Sequence, residues 1–187
     1  FSWGPKFDGT LKPWGQVVDG EQRVKPYVGL KNNVKDFFNV GGTFTNNVSF
    51  AQSNDKNSFF VSFNNVDQKG IMPGTEYNRT SVKLTGTADI SDKIYTSATI
   101  NYIRSKGDLS VQGQGASPYD QILQTPRDIS LLELRDYKNK FNDLNGFYGA
   151  YTVNPWYYLG EDSYTSTVDR VLGNAQVGYK PVKWIDI

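Results

Sequence analysis

Val82-Lys83-Leu84-Thr85-Gly86-Thr87-Ala88-Asp89-Ile90 sets Val82, Leu84, Ala88 and Ile90 on one side and Lys83, Thr85, Thr87 and Asp89 on the other. A period of two is the mark of a strand with one apolar and one polar face. The same alternation recurs in Phe44, Val48, Phe50, in Phe59, Val61, Phe63, and in Ile94, Ala98, Ile100, Tyr102. None of these four sets carries a charge. Between them fall Thr43, Thr45, Asn47 and Ser49, then Ser58, Ser62 and Asn64, then Tyr95, Ser97, Thr99 and Asn101. The alternation resumes at Val171, Ala175, Val177 and Tyr179.

The connections alternate as well. Ser53-Asn54-Asp55-Lys56 and Ser91-Asp92-Lys93 are short runs of turn-forming residues. Gln68 to Asn78, with Gly70, Pro73 and Gly74, reads as a longer loop, and the next connection runs from Lys106 to about Thr165. Lys180-Pro181-Val182-Lys183 is again a tight turn. Outer-membrane barrels have strands of roughly 9–11 membrane-crossing residues, tight turns on one rim and long loops on the other. The expected fold is therefore all-β, and on these residues alone a strip of transmembrane β-barrel wall and a soluble antiparallel sheet both fit. A soluble sandwich shows the same alternation, and a secreted or surface β-sandwich acting in carbohydrate binding or adhesion is the alternative.

Composition narrows the function classes. Lys and Arg number 20 against 19 Asp and Glu, so a net charge of +1 gives no global basic field for nucleic acid. Mean hydropathy is -0.55, and no apolar run is long enough for a transmembrane helix. Cysteine and histidine are absent. Thiolate or imidazole metal sites and Ser-His-Asp chemistry therefore have no basis, and neither an enzyme nor a cofactor is expected.

The chain divides into a loop leading into the sheet (1–42), two hairpins (43–105), a long loop with a short helix (106–166), and a strand, turn and beginning strand (167–187). About five or six strands do not close around a lumen, so the sequence reads as a piece of a larger wall. In the long loop, Ser130-Leu131-Leu132-Glu133 fits a capping box followed by Leu134 and Lys138 at helical spacing, which predicts the helix. Phe147, Tyr148, Tyr151, Trp156, Tyr157, Tyr158 and Tyr164 crowd the end of this loop. Trp156, Tyr157, Tyr158 and Tyr151, with Trp3 and Trp14 from the first loop, are the candidate contacts for a ligand or partner. The competing role for such rings is packing the loop or forming an interfacial belt. Gly113-Gln114-Gly115 lacks the strand, helix and third glycine of a phosphate cradle and reads as loop. Asp67, Glu76, Glu161 and Asp162 show no EF-hand spacing, so no metal is assigned to them.

Beyond periodicity, particular wording stands out: Ser2-Trp3-Gly4-Pro5-Lys6-Phe7-Asp8-Gly9, Asn33-Val34-Lys35-Asp36-Phe37-Phe38-Asn39-Val40-Gly41, Phe60 through Gly74, Tyr77-Asn78-Arg79-Thr80, and Asn154-Pro155-Trp156-Tyr157. In this order they resemble the segment after the plug in the SusC/RagA family of TonB-dependent outer-membrane transporters of Bacteroidota. The resemblance implies that the chain is part of a large antiparallel transmembrane β-barrel with a plug and long extracellular loops, one carrying the short helix, in the outer membrane of a Gram-negative bacterium, with a SusD-like surface lipoprotein as lid and import of oligosaccharides or peptides powered through the TonB complex. It further implies that Val82, Leu84, Ala88, Ile90 and Ile100 meet outer-membrane lipid, while Lys83, Asp89 and Arg170 face the lumen. No TonB box or plug occurs in these residues, so energy coupling is expected from other parts of such a transporter.

Overall fold

The structure, a computed structural model, describes residues 4–113, 115, 117–144, 146–147 and 152–187. Of the residues singled out above, Ser2, Trp3, Gln114, Tyr148 and Tyr151 lie outside this set. In chain order the elements are β1 (Leu11–Val18), β2 (Glu21–Pro26), α1 (Asn33–Phe37), β3 (Gly42–Ser53), β4 (Asn57–Lys69), β5 (Glu76–Ser91), β6 (Ile94–Leu109), α2 (Pro118–Gln124), a 3-10 turn at Glu133–Arg135, α3 (Pro155–Glu161) and β7 (Tyr164–Tyr179). They form two compact units. One comprises Gly42–Lys69, Glu76–Gly107 and Thr165–Ile187, and the other Phe1–Gly41, Gly70–Thr75 and Asp108–Tyr164.

The first unit is a five-stranded sheet in the order β3-β4-β5-β6-β7, each strand beside its neighbour in sequence. The antiparallel β class expected from the alternation is what the chain adopts. Its turns are closed by side chains that stand in for backbone. Asn54 Oδ1 accepts from the N–H groups of Lys56 (3.0 Å) and Asn57 (2.8 Å). Ser91 Oγ accepts from Lys93 and Ile94 at 3.3 and 3.1 Å. Asx and Ser turns of this kind satisfy donors that the reversing chain would otherwise leave open. After β7 the backbones of Tyr179 and Ile187 exchange hydrogen bonds of 2.9 and 3.0 Å, so the chain folds back alongside the end of the strand.

Pairing overturns the expected long loop at Gln68 to Asn78. Gln68 pairs with Tyr77 and Lys69 with Glu76, leaving only residues 70–75 outside the ladder. Gly74, at φ 75°, takes the left-handed turn that a glycine adopts without strain. The bond from Thr75 Oγ1 to the Met72 carbonyl (2.7 Å) helps close the bend.

In the other unit, a core of Phe37, Ile122, Ile129, Leu131, Leu134, Phe147 and Trp156 gathers the short helices. Residues 1–42, expected to be loop, contain the β1-β2 hairpin. Its two-residue turn is Asp19-Gly20, both at positive φ (52° and 78°), between the paired Val18 and Glu21. That is the turn whose twist matches a hairpin and for which Asp-Gly is favoured.

The helix expected after Ser130 is reduced to one 3-10 turn. Ser130 Oγ does accept from the Glu133 N–H (3.3 Å), as the capping box requires. The carbonyls that would propagate a helix are taken by asparagine amides instead: Asn142 Nδ2 donates to Glu133 and Asp136, and Asn154 Nδ2 to Leu134. Helices α2 and α3 start where Ser117-Pro118 and Asn154-Pro155 supply a capping side chain followed by proline in the first turn.

Candidate functional site

The register sorts the sheet's side chains into two faces. Directly opposed residues share a face, and the rows read Val48–Phe63–Val82, Phe50–Val61–Leu84 and Gln52–Phe59–Gly86 across β3, β4 and β5. Ala88 and Ile90 follow on the same side of β5. On the opposite side, Ser58 and Thr87 share a hydrogen bond of 2.5 Å, and Thr85 and Thr99 one of 3.1 Å. The Thr85–Thr99 bond fixes the side of β6: Ile94, Ala98, Ile100 and Tyr102 lie on the apolar face. The Tyr102 hydroxyl in turn donates to Asp169 (2.5 Å), which brings Val171, Ala175, Val177 and Tyr179 to that face and sends Arg170 to the other. Lys83 and Asp89 join Arg170 there.

This apolar face carries most of the sheet's large side chains, and among the described residues many of them stay exposed. Ile90 is 65% exposed, Val48 68%, Val177 72% and Ile100 48%, with Leu84 at 39%. Among the described residues no buried hydrophobic belongs to the sheet; all seven are in the other unit. Contiguous apolar area on this scale marks a surface made to meet lipid or a partner. The opposite face is mixed rather than uniformly polar, since Phe60 and Val66 interrupt its Ser, Thr and Asn residues, an inclusion the alternation left out.

Toward the rim away from the tight turns, the apolar face turns polar through paired groups. Asn65 Nδ2 donates to Thr80 Oγ1 (3.2 Å), and Asn78 Nδ2 to Asp67 (3.0 Å). Asp169 is held by Tyr102 and, at 3.8 Å, by Arg104.

The aromatic candidates divide differently from the expectation. Trp156 is buried: its ring lies 4.6 Å from that of Phe37 and its Nε1–H donates to the Leu131 carbonyl at 2.6 Å. A ring so enclosed offers no contact surface, so Trp156 is a core residue. The Asn154-Pro155-Trp156 wording is structural throughout. Asn154 caps α3 through the Trp156 N–H (3.0 Å) while donating to the carbonyls of Leu134 (2.7 Å) and Asn142 (2.9 Å). Asn154→Ala is expected to strand those two buried carbonyls at a cost of about 1–3 kcal/mol. Limited proteolysis between residues 131 and 161 measures it, and an unchanged cleavage rate would contradict this role.

Tyr157 and Tyr158 remain half-exposed and pack edge to face, with Tyr137 against Tyr157 at 6.1 Å. The Tyr137 hydroxyl donates to Glu161 (3.0 Å), and that bond holds the phenol above its ordinary pKa. Trp14 belongs to another cluster. The Arg23 guanidinium stacks 3.8 Å from its ring centre and reaches Asn142 Oδ1 (2.7 Å) and the Phe141 carbonyl (2.8 Å). Burial pushes this guanidinium below its usual value, against the opposing charge of Glu133, yet an arginine so placed stays protonated. Trp14 thus joins the hairpin to the loop core through Arg23 and keeps only part of its ring exposed.

The residues that organise this unit are Arg23, Asn142, Asn154 and Asn33; the sequence reading quoted Asn33 and Asn154 without a role and passed over Arg23 and Asn142. Asn33 accepts from the Leu131 N–H (2.9 Å) and donates to the Ile129 carbonyl (2.6 Å). Lys25 bonds both the carboxylate (2.6 Å) and the carbonyl of Asp128. Polar residues scattered along a chain give no periodic signal, so nothing in the sequence pointed to these bonds.

Among the described residues no three His, Cys, Asp or Glu side chains gather as a metal site. Asp67 and Glu161 have protein partners in Asn78 and Tyr137. A depression of about 280 Å³ lined by Leu30, Lys31, Asn32, Asn33, Asp36, Ser130 and Leu132 carries one basic and one acidic side chain. No protein-family model matches the chain, and no curated protein matches it in sequence.

Proposed function

We propose that this chain is part of the barrel wall of a TonB-dependent outer-membrane importer of the SusC/RagA kind, with a SusD-like lipoprotein as lid and oligosaccharides or peptides as cargo. The observation that carries this reading is the register that collects the apolar residues of long strands on one uncovered face. The strands run 12 to 16 residues, longer than the roughly 9–11 needed to cross a bilayer. Lipid is a natural cover for a sheet face of this kind, because the backbones of β4, β5 and β6 are paired on both sides within the ladder and their side chains are what meets hydrocarbon. The motif likeness supplies the family, the lid and the cargo class.

Here the wall itself performs no chemistry. It separates lipid from a lumen lined by Ser, Thr and Asn with Lys83, Asp89 and Arg170, and the second unit, with Tyr157, Tyr158 and Trp14, is the candidate surface for lid or cargo. Growth of the source bacterium on defined oligosaccharides or peptides, with and without the protein, tests the activity. Tyr157→Ala with Tyr158→Ala is expected to lower uptake or lid co-purification several-fold while the protein still migrates as a heat-modifiable barrel, because these rings are half-exposed. Full uptake and lid recovery would remove them from recognition. A monodisperse protein that is soluble without detergent would instead favour a surface β-sandwich for carbohydrate binding or adhesion.

A further inference from the structure

Five glycines lie in strands β3 to β7, and four of them leave room for a side chain. A Cβ built on Gly42 meets nothing within 4 Å, and on Gly86, Gly107 and Gly173 its nearest neighbour would stand 3.9, 3.7 and 3.5 Å away, ordinary van der Waals distances. At Gly178 in β7 a Cβ would overlap the ring of Tyr95, which comes across from β6. The φ of Gly178 is not positive, so its backbone does not demand glycine. The close approach of the ring does. Gly178 is buried, while Val177 and Tyr179 on either side of it are exposed.

The far end of that ring is tied to the chain that follows β7. The Tyr95 hydroxyl donates to Asp186 (2.9 Å), and the Lys180 ammonium lies 3.7 Å from the same carboxylate and 4.9 Å from the ring centre. Beneath them the Lys180 N–H donates to the Lys93 carbonyl of the preceding turn (2.7 Å), while Tyr179 and Ile187 exchange backbone bonds on the other side of β7. One side chain from β6 thus crosses β7 and grips the returning chain. We infer that Tyr95 is an assembly clasp: seated in the notch at Gly178, it fixes the register in which the chain after the turn pairs with β7. The turn by itself specifies that register weakly. Residues 180–186 separate the paired Tyr179 and Ile187, contain no glycine, and are closed internally by the Val182–Ile185 bridge, whereas the turns that dictate register are the two-residue kind. A slip of one residue would carry Asp186 to the opposite face, out of reach of Tyr95. The inference rests on the sheet alone and stands whatever covers its apolar face.

Hydrogen exchange at the Tyr179 and Ile187 amides, which make the two bonds of that pair, reads the clasp in the full-length protein. Tyr95→Phe keeps the ring in the notch and loses only its hydroxyl bond, so both amides are expected to exchange about tenfold faster, the scale of one lost hydrogen bond. Gly178→Ala unseats the ring and is expected to speed them further, whereas Gly107→Ala, whose Cβ would meet Tyr77 at an ordinary 3.7 Å, leaves them unchanged. Combining Tyr95→Ala with Gly178→Ala should be no worse than Tyr95→Ala alone, because the added methyl then has no ring to meet. Full protection of both amides in Tyr95→Phe and Tyr95→Ala overturns the clasp. So does a Gly178→Ala effect that is as large without the ring as with it, since glycine would then serve the backbone and not Tyr95. Should Gly178→Ala fail to fold, the two Tyr95 variants decide by themselves.

Discussion

Leu84→Arg is expected to block assembly into the membrane, while Thr85→Arg, one residue along the same strand, assembles normally. Leu84 stands in the row Phe50–Val61–Leu84, inside the apolar series that runs from Val82 to Ile90 along β5. A guanidinium on the lipid face near the bilayer midplane costs about 2–4 kcal/mol, against close to nothing near the interfaces. Thr85 points the other way, bonded to Thr99 at 3.1 Å, and an arginine there gives up one hydroxyl bond and enters a face that already carries Lys83, Asp89 and Arg170. Heat-modifiable migration on gels, followed by urea unfolding in lipid vesicles, measures the difference. Equal tolerance of the two substitutions would count against the wall reading.

The same pair explains what was readable in advance. Alternation at Val82, Leu84, Ala88 and Ile90 needs no knowledge of partners, because a strand's two faces are written in its own residues. Which residues stand opposite each other is also accessible, since a slip by one residue would turn Phe63 to the polar face and Ser62 to the apolar one. The Asp19-Gly20 hairpin was missed although its dipeptide favours the positive-φ turn, because Gly15, φ 74°, breaks the alternation of β1 with a bulge between Trp14 and Val18. The short connection at residues 70–75 was misread because Pro73 and Gly74 are equally common in long loops and tight bends. Least legible was the candidate recognition surface. Trp156 and Tyr157 are adjacent aromatics of similar character, and only the fold assigns one to the core and leaves the other half-exposed. That assignment depends on Leu131 and Phe37, which are remote in sequence and carry no periodic relation to Trp156.

Trp156→Ala is accordingly expected to act on the order of the loop unit and not on recognition directly. The substitution removes a ring packed on Phe37 and buried among Leu131 and Leu134, a loss of about 3–5 kcal/mol for a large core side chain. It also strips the Leu131 carbonyl of the indole donor at 2.6 Å. Trp156→Phe keeps much of the packing and loses only that bond, so its cost should be nearer 1–3 kcal/mol, the roughly expected penalty for an unpaired buried acceptor. Hydrogen exchange of the backbone amides in α3 and around Leu134 should accelerate in that order, alanine far more than phenylalanine. Because the sheet keeps its own ladder and turn bonds, heat-modifiable migration is expected to persist in both variants. Any fall in uptake should then track the loss of protection, with Trp156→Phe intermediate. Lost uptake in a Trp156→Ala protein whose loop amides stay protected would instead place the indole against cargo or lid, and the buried position described here would have to give way to an open one during transport.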